Sequence, residues 1–206
     1  MNPIVYIVDD DAAVTSALCN LFIADDYTVI AFSSAQAFLA HTLTSLPCCL
    51  ILDINLPDAD GFDIARSLID RGYAIPTIFL TGFGTIPVTV RAMKTGAYEF
   101  LTKPVDPDRI LQAVSEALRI AEQNMASSEE RRELLQRHQT LTPRESEVML
   151  LAISGLLNKQ IAAEMGVSEI TAKVHKRRVM EKMNARSLTD LVRAAERLNI
   201  DHTRRR

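Results

Sequence analysis

The sequence predicts an α/β domain followed by a smaller all-α domain. In the first 122 residues, five short apolar runs alternate with segments of helical pattern, which favours a doubly wound parallel sheet. After about residue 140 only short helical segments follow. Charge divides in the same way, since residues 1–122 carry 15 acidic and 7 basic side chains and residues 123–206 carry 11 and 16. An acidic half joined to a basic half indicates two domains with different partners.

The predicted strands of the first domain are short apolar runs that end at polar side chains or turn residues. They are Ile4–Val8, Thr28–Phe32, Cys48–Asp53, Thr77–Leu80 and Tyr98–Leu101. The helices predicted between and after them are Ala12–Ala24, a short helix that contains Ala37–Leu39, a helix from Gly61, Ile86–Lys94 and a helix from Pro107. Asp11 is the candidate N-cap of the first helix, and Ser33 or Ser34 of the second.

Polar side chains stand where four of these strands end. Asp9, Asp10 and Asp11 follow the first strand and Asp53 ends the third. The fourth strand leads to Thr81 and the fifth to Lys103. Because open α/β sheets place their ligands at the carboxyl ends of the strands, we expect these side chains to form one site.

This set has a chemical logic. Clustered carboxylates repel one another unless a cation holds them, and hard oxygen ligands on a rigid edge suit Mg²⁺. A lysine and a threonine hydroxyl can bind phosphate oxygens, and Asp53 between them is a candidate nucleophile toward phosphorus. The alternative is that Asp53 forms a turn and the first-strand aspartates cap a helix, which leaves Thr81 and Lys103 unexplained.

In this order and spacing, residues 1–122 resemble the receiver domain of two-component response regulators. The resemblance implies a five-stranded sheet of order 2-1-3-4-5, as in flavodoxin-like folds, and a cis bond at Lys103-Pro104. It also implies that a sensor histidine kinase phosphorylates Asp53. Mg²⁺ would be held by Asp10, Asp53 and the Asn55 carbonyl, with Asp9 acting through water. In the implied switch, Thr81 moves toward the phosphate and Phe100 rotates inward.

No glycine or proline occurs between Asp108 and Thr142. We therefore predict a helical linker over 123–139 that continues the last receiver helix. It has one candidate pause, where Ser127 and Glu130 can form a capping box. A flexible polar linker is the alternative, but flexible linkers normally carry glycine, serine or proline.

The basic half, residues 140–206, is predicted to be a four-helix domain with a helix-turn-helix. Thr142, Pro143 and Glu145 predict its first helix start, as cap, first helical residue and capping-box partner. A short helix, a turn at Gly166 and a basic helix follow, which is the pattern of a helix-turn-helix. The three later helices are predicted over Asn158–Met165, about Glu169–Met183 and about Ser187–Leu198.

The basic helix is the candidate DNA-reading element. We expect Val167, Ile170 and Val174 to be buried beneath the turn. The other face carries Lys173, Lys176, Arg177 and Arg178, with Lys182 further along, and is a phosphate-seeking surface. The residues assigned to base edges are Lys173, Val174 and Arg177, and those assigned mainly to the backbone are Lys159, Thr171, Lys176 and Arg178. The alternative is a solvated surface of a plain helical bundle.

Residues 140–200 resemble the LuxR-type effector domain of NarL/FixJ response regulators, and the segments 81–87 and 92–97 are similar to the FixJ branch. The matching residues are 141–145, 155–162, Ser168, Thr171, 173–175 and Met183. Ala172 departs from the family, which usually has a bulkier aliphatic there. The resemblance implies a transcriptional regulator that binds promoter DNA and acts with RNA polymerase. It also implies homodimerisation on phosphorylation, through a face that contains Val88, Arg91, Lys94 and Tyr98.

Other protein classes fit the sequence less well. A phosphate-ester hydrolase usually needs a second Asp two residues after its nucleophile, where this chain has Asn55. We therefore expect no enzyme beyond Mg²⁺-dependent self-phosphorylation and dephosphorylation. A ligand-sensing LuxR-type regulator would need an apolar pocket instead of the polar set around Asp53.

The sequence also bounds where the protein acts. No run of 18 apolar residues predicts a membrane span, and no signal peptide is expected. Cys19, Cys48 and Cys49 are predicted to be buried reduced thiols of a cytoplasmic protein. The Arg204–Arg206 tail is expected to be disordered and to add non-specific attraction to DNA.

Overall fold

The computed structural model describes residues 2–82 and 85–200. They form two compact units that divide between Met125 and Ala126. The C-terminal arginines, and Phe83 and Gly84 of the FixJ-like segment, lie outside the described residues. The strands are β1 Ile4–Val8, β2 Thr28–Phe32, β3 Cys48–Asp53, β4 Thr77–Thr81 and β5 Glu99–Thr102. The helices are α1 Ala12–Ala24, α2 Ala35–Ala40, α3 Gly61–Asp70, α4 Ile86–Lys94, α5 Pro107–Gln139, α6 Pro143–Ile153, α7 Asn158–Met165, α8 Glu169–Lys182 and α9 Leu188–Arg197.

The first unit is built on one parallel sheet of order β2-β1-β3-β4-β5, which confirms the predicted order. Every residue of β1, β3 and β4 is buried, because helices cover both faces of the sheet. Alternate side chains feed two cores. Tyr6 and Leu50 belong to one core, and Ile7 and Ile51 belong to the other. This double burial fixes the carboxyl ends of β1 and β3 side by side.

Helix caps in this unit follow the predictions and add one that was missed. The Asp11 carboxylate caps α1, and Ser34 rather than Ser33 caps α2. Asp58 was not anticipated. Its carboxylate accepts hydrogen bonds from the backbone N–H groups of Ala35 and Gln36, at 3.1 and 2.9 Å. These bonds, led by that of Gln36, lower the pKa of Asp58 and tie the loop after β3 to α2.

Several boundaries differ from the predictions, and β4 ends at Thr81, one residue later than expected. β5 begins at Glu99 and ends at Thr102, one residue later than expected, and its register pairs Thr81 with Thr102. The predicted helical continuation of α5 is confirmed, and the candidate pause at Ser127 does not occur, because α5 is one continuous helix of 33 residues. Glu130 forms no capping box and is instead paired with Arg197 of α9.

The second unit packs α6 to α9 around a core that includes Val148, Ile161, Val179 and Leu191, with Leu134 of α5 added. The predicted start of α6 is confirmed. The Thr142 hydroxyl accepts from the Glu145 N–H at 3.3 Å, and the Glu145 carboxylate accepts from the Thr142 N–H at 2.8 Å. Gly166, with φ of 65°, ends α7 in the left-handed conformation that the turn requires.

Lys182 is engaged inside this unit and does not belong to the exposed basic face where we expected it. Its Nζ lies 2.6 Å from Glu145 Oε2 and 2.9 Å from the Thr140 carbonyl oxygen. Glu145 is only 3% exposed. The hydrogen bond from Lys182, followed by that from the Thr142 N–H, lowers the pKa of Glu145 to about 2. One ion pair thus joins the end of α8 to the start of α6.

We expect Glu145→Gln to destabilise this unit by about 2–3 kcal/mol at neutral pH, because the amide cannot pair with the Lys182 charge. The folded-state pKa lies below the ordinary value of 4.5. The difference between wild type and variant should therefore be complete above about pH 4.5 and disappear as pH falls toward 2. Amide hydrogen exchange in α6 and α8, followed against pH, measures it.

Glu147→Gln on the same helix is the matched control, since Glu147 forms only an exposed ion pair with Arg144 at 2.9 Å. It should change protection by less than about 1 kcal/mol. Equal losses in both variants would show that the Glu145–Lys182 pair has no special weight.

Candidate functional site

The sheet edge gathers the side chains that the sequence singled out. Asp53 is the last residue of β3, Asp9 follows β1 and Lys103 follows β5. The Lys103 Nζ lies 2.6 Å from Asp53 Oδ2 and 2.6 Å from Asp9 Oδ2. Asp9 is 1% exposed and Asp53 is 6% exposed, so the lysine bridges two buried carboxylates. The Lys103–Pro104 peptide bond is cis, as expected.

The two carboxylate oxygens of Asp9 have different partners. Asp9 Oδ1 accepts from the Asp11 N–H at 3.0 Å, whereas Asp9 Oδ2 has the close Lys103 ammonium but no aligned hydrogen bond. Burial raises the pKa of Asp9, and it outweighs the lowering by Lys103. For Lys103, burial lowers the pKa, but its close pairing with the two carboxylates leaves the pKa above its ordinary value. The carboxylates therefore outnumber the ammonium that neutralises them.

The donor set fits a hard cation. Oxygens of Asp9, Asp10 and Asp53 lie within 4.8 Å of one another, and Asp10 is exposed. One buried oxygen, Asp9 Oδ2, lacks a hydrogen bond. Carboxylate oxygens with an open, solvated side are the ligands that Mg²⁺ takes in proteins, and receiver domains typically use Mg²⁺ at such an acidic pocket.

The loop after Asp53 holds that carboxylate in place. The Asn55 N–H donates to Asp53 Oδ1 at 3.0 Å. Gly61, the first residue of α3, packs so closely that a Cβ there would lie 2.4 Å from the Asp53 carbonyl oxygen. Any other residue at this position must displace the backbone of Asp53, so the glycine is required by close approach.

The predicted switch residues lie next to this edge. Thr81 ends β4 and is 1% exposed. Phe100, on β5, is 8% exposed and packs in the same core as Phe79. The expected switch starts from an outward Phe100 that rotates inward. In this structure the Phe100 side chain is already buried.

The predicted dimer face is partly engaged within its own unit. Arg91 lies 2.8 Å from Asp60 Oδ2, and its guanidinium carbon lies 4.4 Å from the centre of the Phe62 ring. Asp60 also caps α3, since its Oδ1 accepts from the Phe62 N–H at 2.8 Å. The Tyr98 hydroxyl donates to Glu116 Oε2 at 2.8 Å. Lys94 is exposed, and Val88 is half-buried against the core.

In the second unit, α8 has one buried side and one outward side. Ala172 and Val179 are buried, as is Met183 at the C-cap. Residues on a helix are separated by about 100°, so the opposite side is the row Ile170, Val174, Arg177 and Glu181. We call this row the outward stripe.

The prediction that Ile170 and Val174 are buried was wrong, since they are 78% and 45% exposed. Ala172 fixes which side packs inward, and Ile170 lies two residues, about 200°, away from it. Ala172 is 1% exposed in the core of the unit, so its small side chain is accommodated.

Most of the residues assigned to DNA lie on accessible surface. Lys159, Thr171, Lys173, Arg177 and Arg178 are exposed, whereas Lys176 is half-buried at the side of the helix. The Ser168 hydroxyl caps α8 by accepting from the Thr171 N–H at 3.1 Å. Arg177 Nε donates to Glu181 Oε1 at 2.7 Å, which holds the guanidinium on the outward stripe. His175 is half-buried, and its Nδ1 has no hydrogen-bond partner among the described residues.

Comparison with known protein families agrees with this division. Residues 5–115 match the model of the response regulator receiver domain, and residues 139–195 match that of bacterial regulatory proteins of the luxR family. The receiver match favours a receiver domain over the alternative of a ligand-sensing first half. Within the described part of the chain, no helix has the length and apolar character needed to cross a membrane.

Similar proteins match over nearly the whole chain. Nodulation protein W of Bradyrhizobium diazoefficiens is 44% identical over 202 residues, which cover 97% of this chain and 89% of that protein. Response regulator protein TodT of Pseudomonas putida is 42% identical over 195 residues, covering 95% and 86%.

The transcriptional regulatory protein FixJ of Bradyrhizobium diazoefficiens is 38% identical over 194 residues, covering 94% of each chain. Among solved structures, the response regulator StyR is 40% identical with a TM-score of 0.84, covering 95% of this chain and 99% of that one. Full-length FixJ from B. japonicum is 36% identical with a TM-score of 0.56, covering 96% and 98%. The chain therefore belongs to the two-component response regulators of the NarL/FixJ family, with a receiver domain and a LuxR-type helix-turn-helix domain.

Proposed function

We propose that this regulator accepts a phosphoryl group on Asp53 from a sensor histidine kinase and then binds promoter DNA through α7 and α8. The observation that carries the proposal is the contact of Lys103 with both Asp53 and Asp9 at the sheet edge, 2.6 Å each. Asp53 would be the nucleophile, because it ends the central strand β3 and has the Lys103 ammonium beside it to bind a phosphoryl oxygen. Domain limits of 1–122, 123–139 and 140–206 for receiver, linker and effector are part of the proposal.

The residues present define the transfer. An Asp53 carboxylate oxygen attacks phosphorus in line as the nitrogen–phosphorus bond to the kinase histidine breaks. Lys103 and Thr81 bind oxygens of the phosphoryl group, and Lys103 keeps Asp9 as a partner when it turns away from Asp53. Asp10, Asp53 and the Asn55 carbonyl would hold Mg²⁺, with Asp9 acting through water; when bound, the ion neutralises phosphate charge.

Phosphorylation adds charge beside Thr81, and we propose that the Thr81 hydroxyl follows it. Phe100 then keeps the buried position it already occupies, which would fix the neighbouring surface of α4 and β5 in one state. Small phosphodonors and water would serve the same site, so self-phosphorylation and slow dephosphorylation are the enzymatic steps we expect. A regulator of promoters acts where DNA and RNA polymerase are, and we expect this in the cytoplasm.

The phosphorylation site is tested with Asp53→Asn. Treatment of the wild-type chain with acetyl phosphate and Mg²⁺ should add the mass of one phosphoryl group. The variant should gain none, because an amide cannot replace the carboxylate nucleophile. Intact-protein mass spectrometry measures the result.

Two controls sharpen this test. Asp70→Asn, an exposed aspartate at the end of α3, should be modified like the wild type. Asp10→Ala should require a higher Mg²⁺ concentration for the same modification, because a direct ligand is removed. A phosphoryl adduct that persists in Asp53→Asn contradicts the assignment.

Dimerisation on phosphorylation is proposed through the α4 and β5 face, because two recognition helices are needed to occupy two DNA half-sites. Arg91 gives this face a link to the phosphorylation site. Its partner Asp60 caps α3, at the end of the loop that follows Asp53. A change at Asp53 can therefore alter which carboxylates hold Arg91.

We expect the wild-type chain to sediment as a monomer alone and as a dimer with Mg²⁺ and beryllium fluoride, which mimics the phosphoryl group. Asp53→Asn should remain a monomer in both conditions. Analytical ultracentrifugation measures the masses. A wild-type mass that stays monomeric with the mimic, both free and on DNA, argues against phosphorylation-driven dimerisation.

Base reading by α8 is tested by two neighbouring basic residues. Arg177→Ala should cost about 1–3 kcal/mol on the cognate site and relax preference at one base pair, because Arg177 points outward and suits bidentate contact with guanine. Lys176→Ala should weaken binding to all DNA sequences alike, because Lys176 lies at the side of the helix. It should also lower the slope of log binding constant against log salt concentration by about one. Fluorescence-anisotropy titrations on cognate and scrambled duplexes at several salt concentrations separate the two. If Arg177→Ala loses the same affinity on both duplexes, Arg177 contacts only the DNA backbone, and another residue of α8 must read the base.

A further inference from the structure

The outward stripe of α8 begins with two aliphatic side chains. Ile170 is 78% exposed and Val174 is 45% exposed, and as residues four apart they are neighbours on the helix. Neither belongs to the core of the unit. The rest of the exposed helix surface is mostly basic or acidic, and Lys173 and Arg178 flank the pair. An apolar pair in the middle of a charged, DNA-facing surface fits an apolar partner in DNA.

The position of Ile170 limits what that partner is. It is the second residue of α8, directly after the Ser168 cap and Glu169. In a helix-turn-helix, the first residues of the second helix meet base edges in the major groove. The apolar group that the major groove offers is the C5-methyl of thymine. Four residues of helix rise about 6 Å, and base pairs are about 3.4 Å apart, so the pair spans about two steps.

We infer that Ile170 is a specificity-determining residue which, with Val174, packs against thymine methyl groups of the promoter. The inference rests on the proposed DNA-binding function and deepens it, because it names the chemistry read at the start of the stripe. Ile170 has no donor or acceptor on its side chain, so it contributes neither phosphate binding nor hydrogen-bonded base reading. Arg177, three residues after Val174 and held by Glu181, stands further along the same stripe toward its own base pair.

The test uses the full-length chain with Mg²⁺ and beryllium fluoride. Duplexes bound by the wild type are first enriched from a random-sequence library. In one enriched duplex, each thymine is then replaced singly by uracil, which keeps base pairing and lacks only the methyl group. Affinities are measured by fluorescence anisotropy for the wild type, Ile170→Ala and a matched control, Leu150→Ala. Leu150 is 42% exposed on α6, outside the helix-turn-helix.

We expect one or two thymines in each half-site where uracil weakens wild-type binding about fourfold. That factor corresponds to about 0.8 kcal/mol for one buried methyl group, with 1.4 kcal/mol per factor of ten. At one of these thymines, replacement by uracil should not weaken the binding of Ile170→Ala. The Leu150→Ala control should lose affinity at the same thymines as the wild type, and by the same factor. Ile170→Val, which keeps a branched side chain, should retain part of the discrimination.

Two outcomes overturn the inference while DNA binding stands. One is a wild type that binds the enriched duplex tightly but is indifferent to uracil at every position. The other is an Ile170→Ala variant that still loses fourfold at each sensitive thymine. A library that yields no enriched sequence would overturn sequence-specific DNA binding itself, and the inference with it.

Discussion

The receiver unit depends on keeping like charges together at the edge of a buried sheet. Asp9 and Asp53 are both buried, and desolvation of carboxylates is unfavourable unless cations compensate it. Lys103 compensates part of the charge, and its position between the two aspartates explains why its pKa is raised although burial lowers it. A bound cation would balance the remaining negative charge. The strands β1 and β3 hold the carboxylates there because every residue of both strands is buried.

The loop after Asp53 connects the acidic sheet edge to three helices. Asp58 binds the start of α2 through two backbone N–H groups, and Asp60 caps α3 while holding Arg91 of α4. Within a few residues, one loop is therefore attached to three helices. The phosphoryl group proposed for Asp53 would act on a segment whose own carboxylates are already helix caps and ion-pair partners. A local electrostatic change there would have a short route to the surface of α4.

The sequence was sufficient where the structure follows from local rules. Strands β1 and β3 were readable because fully buried parallel strands are uninterrupted apolar runs, and Thr142 with Glu145 marked the start of α6. The grouping of Asp9, Asp53 and Lys103 was readable because parallel strands bring their carboxyl ends to one edge. The partners of Lys182 and Arg91 were not readable, since Glu145 and Asp60 lie 37 and 31 residues away and only packing brings them near.

Helix α8 shows a different reason for failure. Hydrophobic periodicity assigns aliphatic residues to the core, and by that rule Ile170 and Val174 should be inside. The structure buries Ala172 and Val179 and turns both aliphatics outward. Apolar side chains on the outside of a charged helix break the local rule, and such breaks are expected where a surface serves a partner instead of the fold. The sheet edge departs from the same rule in the other direction, because it buries charged side chains that would normally be exposed. In both places the chain keeps a feature that its own packing leaves incomplete, and the partner we propose for it would complete it: a cation with a phosphoryl group at Asp53, and a methyl-bearing base edge at Ile170.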